Sequence, residues 1–227
     1  QPIKEIGKIC KKKKIFFHVD AAQAIGKINI DISTLDVDAM SISSHKLYGP
    51  KGVGCLYIND KKKLTPIHYG GGHERGIRPG TLAVHNIVGF AHACKIAQNN
   101  IKTDKKRINQ LTSYMIDRLK IAFPDIMING NLEKRIPGNI NISFPMLEHT
   151  PLISNLSKIA ISSGASCSSL NPTPSHVLKA LGLNKSLIKS TIRIGIGRFN
   201  TEKEIKDATS YIISVVNKLS KRHLKIC

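Results

Sequence analysis

Lys46 and Asp20 are the two residues whose type and setting could do the most chemistry together. Lys46 sits in Ser43-Ser44-His45-Lys46-Leu47-Tyr48-Gly49-Pro50-Lys51-Gly52, a small-residue loop directly after an apolar stretch. Asp20 ends another apolar stretch, in His18-Val19-Asp20-Ala21-Ala22-Gln23. An amine and a carboxylate delivered to one sheet edge meet the two requirements of pyridoxal phosphate (PLP). One forms a Schiff base, and the other keeps a pyridinium nitrogen protonated. Each residue alone has a plainer reading. Aspartate at a strand end caps the next turn, and most lysines are simply solvated.

Three further places carry candidate chemistry. The loop His73-Glu74-Arg75-Gly76-Ile77-Arg78-Pro79-Gly80-Thr81 mixes charges with glycines, as functional loops do. Cys167 lies in Ser162-Ser163-Gly164-Ala165-Ser166-Cys167-Ser168-Ser169, where an exposed thiol would be a nucleophile. Arg193 interrupts the apolar stretch Ile192 to Ile196 and requires an anionic partner, either a ligand carboxylate or a structural salt bridge. Cys55, inside a strand, reads as inert packing.

The elements that must position these residues follow from pattern. Lys14 to Val19, Asp38 to Ser43 and Val53 to Ile58 read as short strands, continuous enough in apolar character to be buried on both faces. Tyr48 to Gly52 is the turn between the last two. A helix follows Gly80, with Val84, Ile87, Val88, Ala91 and Cys94 on its apolar stripe. A second helix follows Thr103, with Ile108, Leu111, Met115, Leu119 and Ala122, and stops before Pro124. Asn139 to Phe144 alternates as a half-buried strand, and Ile159 to Ser162 and Ile192 to Ile196 are strand-like. Thr201-Glu202-Lys203-Glu204 is a capping box opening a helix with Ile205, Ala208, Ile212, Val215 and Leu219 at helical spacing. The pattern is mixed α/β in two parts, 1–102 and 103–227.

Composition narrows the classes. The chain has 227 residues, 41% of them hydrophobic, enough for a core. No apolar run approaches the roughly 20 residues of a membrane span, so no membrane partner is expected. The net charge of +20 comes from 35 basic and 15 acidic residues. The lysines are scattered and aromatics reach only 5%, without the basic–aromatic interleaving that stacks bases, so nucleic acid is not the expected partner. The 5 cysteines show no metal spacing and fit a reducing, cytoplasmic setting. Gln1 to Ile9 reads as the middle of a helix, so a longer parent protein is expected.

Taken together, the segments HVDAAQA, SSHKLYGPKG, GGGHERGIRPGT, SSGASCSS and PSHVLKALG resemble, in order, the cysteine desulfurases of the NifS/IscS type. These are fold-type I PLP enzymes of the class V aminotransferase group. The resemblance implies the C-terminal part of a PLP-transferase large domain (mostly parallel sheet) over 1–102, then a smaller α/β C-terminal domain over 103–227. It implies PLP held by Asp20, Gln23, Ser43, His45, Lys46 and Thr81. Lys46 would be the Schiff-base lysine, Gln23 would bond the ring's phenolic oxygen, and Ser43 and His45 would hold the phosphate. Thr81 would reach the phosphate of the neighbouring subunit of a homodimer. Arg193 would clamp the carboxylate of L-cysteine.

Cys167 would take the substrate sulfur as a persulfide, releasing L-alanine, and pass it to a sulfur-acceptor or scaffold protein for iron–sulfur cluster or thio-cofactor assembly. Its segment departs from the family's SSGSACTS by exchanging Ala165 and Ser166 and by Ser168. Relatives also carry an N-terminal half with a ring-stacking histidine, which does not precede Gln1 here. Alternatives are a related PLP selenocysteine lyase, or an inactive fragment acting only as a binding module.

Overall fold

The computed structural model describes residues 1–59, 64–147, 152–162 and 175–223. The chain is α/β and divides into two compact units, Gln1–Asp104 and Lys105–Cys227.

The first unit opens with helix α1 (Ile3–Lys12) and strand β1 (His18–Asp20). Strand β2 (Ala39–Ser43) lies parallel to β1, and β3 (Gly54–Ile58) pairs antiparallel with β2, giving the order β1-β2-β3. Asp38 starts this sheet. Its carboxylate accepts from the Phe17 N–H at 2.9 Å, and its carbonyl accepts from the Asn59 N–H at 2.8 Å. The core is thin. Ala21, Val37 and Met40 are buried in one cluster, and Leu47, Phe90 and Ala93 in another.

Helix α2 (Val84–Ala122) begins in this unit and ends in the second. Two helices were expected here, and one is found. Asn100 donates to the Ile96 carbonyl at 2.8 Å and Thr103 to the Asn100 carbonyl at 2.9 Å. These polar side chains, which broke the apolar period, bond back onto their own helix and leave it continuous.

The second unit holds β4 (Met127–Ile128), β5 (Asn139–Ser143), α3 (His176–Ala180), α4 (Lys185–Lys189), β6 (Thr191–Gly195) and α5 (Glu202–His223). Its antiparallel sheet runs β4-β5-β6. Ile140 and Ile142 on β5 are fully buried. They join Met115 and Leu119 of α2 and Ile205, Ile212 and Val216 of α5 in one core. Phe144 extends that core edge-to-face on Phe123, with ring centroids 6.1 Å apart. Residues 159–162 form only an isolated bridge, Ser162 to Arg193, rather than a strand. The expected capping box is present: the Thr201 N–H donates to Glu204 Oε2 at 2.8 Å, and the Glu204 N–H to Thr201 Oγ1 at 3.2 Å.

Two expectations fail in the first unit. Its strands are not buried on both faces: His18 and Asp20 of β1 are exposed, as are Gly54, Cys55 and Leu56 of β3. An apolar run does not specify a partner for each face, and among the described residues little packs over these positions. The apolar stripe read on α2 is also the wrong face. Val84 and Val88 are exposed (63% and 61%), whereas Phe90, Ala93 and Ala97 are buried. Alanines win that face because they let backbone approach closely. A Cβ on Gly26, whose φ is +72°, would stand 2.9 Å from the Ala97 Cβ.

Candidate active site

Asp20 and Lys46 reach one edge of the first unit's sheet because β1 and β2 are parallel. In that register Asp20 lies opposite Ser41, and β2 continues only through Ile42 and Ser43 before turning. Ser44–Leu47 then forms a single 3-10 turn, closed by Tyr48 in the left-handed region at φ +68°. Such a φ is uncommon for a non-glycine residue and marks a backbone held by its surroundings. Ser44 and Leu47 are buried beneath the turn, which leaves His45 and Lys46 exposed on its outer side. Gly49 completes the loop. Its amide donates to the Ser44 carbonyl at 3.1 Å, and any Cβ there would collide with the Ser44 hydroxyl.

The turn after β1 faces the same edge. Asp20 Oδ1 accepts from the Ala22 N–H at 2.9 Å, so the plain reading of Asp20 as a turn cap also holds. Ala24 and Ile25 N–H groups bond the Ala21 carbonyl, and Lys27 and Ile28 N–H groups bond that of Ala24. This helical winding sets Gln23 and Lys27 one turn apart. Lys27 Nζ donates to Gln23 Oε1 at 3.0 Å. Burial, and then the charge of Lys46, push Lys27 below the ordinary lysine value.

This edge therefore gathers an amine (Lys46), a carboxylate (Asp20), a carboxamide (Gln23), a hydroxyl (Ser43) and an imidazole (His45). That donor set fits a phosphorylated pyridine aldehyde in its chemistry: a nucleophile for the aldehyde, an anion for the ring nitrogen, and donors for oxyanions. Thr81 is exposed just ahead of α2. The loop before it contains two non-glycine residues at positive φ, Glu74 at +48° and Arg75 at +59°.

Arg193 belongs to the second unit and is half-buried on β6. It pairs with Asn141 on one side and bridges Ser162 on the other, where its N–H donates to the Ser162 carbonyl at 2.6 Å. Its guanidinium reaches Ser162 Oγ at 3.4 Å. Cys167 lies outside the described residues.

Cys55 is exposed rather than packed inside, a correction that follows from the open face of β3. Its thiol is pushed up by partial burial and then by Glu74, and that of Cys94 by burial and then by Cys55. Sequence reasoning passed over Lys27. The signal was its place four residues after Gln23, which only matters once the turn is known to be helical. Among the described residues, no group of three or more His, Cys, Asp or Glu side chains could hold a metal ion, and no helix is long and apolar enough to cross a membrane.

This site sits on a chain that belongs to the aminotransferase class-V family, whose model matches residues 1–207. The chain is 50% identical over 226 residues to the cysteine desulfurase IscS of Glaesserella parasuis, covering 96% of this chain and 55% of that protein. It is 44% identical over 221 residues to the human cysteine desulfurase, covering 96% and 48%. Among solved structures it resembles a NifS-like protein with a TM-score of 0.84 at 35% identity, covering 96% of this chain and 57% of that one. A NifS-like protein from Rickettsia africae gives 0.83 at 32%. The chain spans about half the length of the curated relatives it matches.

Proposed function

We propose that the protein carrying this chain is a PLP-dependent cysteine desulfurase that converts L-cysteine to L-alanine and stores the sulfur on Cys167. The observation that carries this reading is the delivery of Asp20 and Lys46 to one sheet edge by the parallel pair β1 and β2. The relatives named cysteine desulfurase support it.

When bound, PLP supplies an electron sink for negative charge developing at the substrate Cα. Asp20 holds the ring nitrogen, and Gln23 donates to the ring oxygen. Ser43 and His45 bind the phosphate, with Thr81 reaching the site of a second subunit. Lys46 would hold the cofactor and, as a free amine, would move the Cα proton. Arg193 takes the substrate carboxylate. The Cys167 thiolate attacks the substrate sulfur, and the new S–S bond forms as the substrate C–S bond breaks. The carbon left behind is protonated and departs as alanine, leaving one persulfide per turnover for a sulfur-acceptor protein.

Incubating the full-length protein with PLP and L-cysteine tests this. Alanine release is expected at one per sulfur delivered to a thiol acceptor. Cys167→Ser is expected to keep the yellow cofactor absorbance and form no persulfide. Alanine release undiminished in Cys167→Ser would remove the assigned nucleophile, and no alanine from the unmodified protein would remove the activity.

A further inference from the structure

We propose that Lys27 is a positioning residue of the cofactor site, one that fixes the Gln23 carboxamide so that its NH2 end is the end offered to a ligand. The proposal rests on the reading of this edge as a PLP site and adds a residue to it.

The orientation follows from what each group can do. A lysine ammonium only donates, so the atom 3.0 Å from Lys27 Nζ must be the amide oxygen of Gln23. With its oxygen engaged, the amide presents its nitrogen, a donor, to anything bound beside it. A ring oxygen bearing negative charge requires a donor there, and an amide turned the other way would set oxygen against oxygen. The Lys27–Gln23 bond thus decides between a productive and a repulsive rotamer.

Both ends of the bond are held in place. The helical turn from Ala21 to Ile28 sets the spacing of the two residues. Gly26, between them, lies against Ala97 of α2 at a distance that admits no side chain. Lys27 itself is half-buried. Removing part of a cation's surface from water is unfavourable unless a polar group compensates, and the Gln23 oxygen is such a group.

The test is a double-mutant cycle in the full-length protein, reading the dissociation constant for PLP and the absorbance maximum of the bound cofactor. Lys27→Met is expected to weaken PLP binding about two- to tenfold, the worth of one hydrogen bond, and to shift the absorbance band. Lys27→Arg, which also donates, is expected to restore both. Lys27→Met added to Gln23→Ala is expected to cost nothing further. Thermal melts of each variant report whether the fold is retained, and Lys27→Gln serves if the methionine variant is unstable. Wild-type binding and spectrum in Lys27→Met, or effects that simply add in the double variant, would overturn the role. Absence of PLP binding by the unmodified protein would overturn the cofactor reading together with it, so the two failures are separable.

Discussion

The two units of this chain divide its work. The second closes a core of its own: among the described residues, twenty buried apolar side chains form one cluster drawn from α2, β5, β6, α5 and the loops between them. Among the described residues the first has two clusters of three buried residues each, and it carries Lys46, Asp20 and Gln23. The candidate residues sit on turns that leave strand ends and expose side chains. Such placement is expected, because reactive groups must meet a ligand while scaffold residues must avoid water. The turns are instead held by backbone bonds, by Gly26 and Gly49 at close contacts, and by the Lys27–Gln23 pair.

Truncations break this contrast most sharply. Ile142→Ala, in the fully buried centre of the second unit, is expected to lower stability by about 2–5 kcal/mol. Val84→Ala, on the exposed face of α2, is expected to change it by less than about 0.5 kcal/mol. Denaturant melts of the two variants compare them directly. Similar losses would show that Val84 is buried in solution, and that the first unit is as closed as the second.

A smaller effect belongs to the start of α5. Thr201→Ala is expected to cost about 1 kcal/mol, because the Glu204 N–H loses its Oγ1 acceptor. Glu204 is held below the usual carboxylate range, chiefly by the Thr201 N–H. Its folded value lies under its unfolded one, so its contribution is present above the unfolded value and fades as pH falls through the folded one. Melts between pH 7 and 3 should show a shallower acid loss for Glu204→Gln. An identical acid profile would remove the box from the account of α5.

The sequence made the second unit's periodic elements legible because local rules decide them. The Thr201 box, the stop before Pro124 and the alternation of Ile140 and Ile142 each depend on near neighbours alone. The Lys46 loop was legible for the same reason. What failed depended on distant partners. Both faces of the first half of α2 are apolar, and only the approach of the Gly26 and Gly49 turns selects Ala93 and Ala97 over Val84 and Val88. The continuity of α2 through Asn100 and Thr103 was hidden because such side chains can break a helix or bond back onto it. Lys27 was hidden because its bond to Gln23 exists only once the turn between them is helical.

The central claim is that this edge of the first unit holds PLP through Lys46. Reduction of the PLP-loaded full-length protein with borohydride, followed by peptide mass mapping, tests it most directly. The account predicts a single reduced cofactor adduct on Lys46, absent in Lys46→Ala. An adduct on another lysine, or none at all, would contradict it.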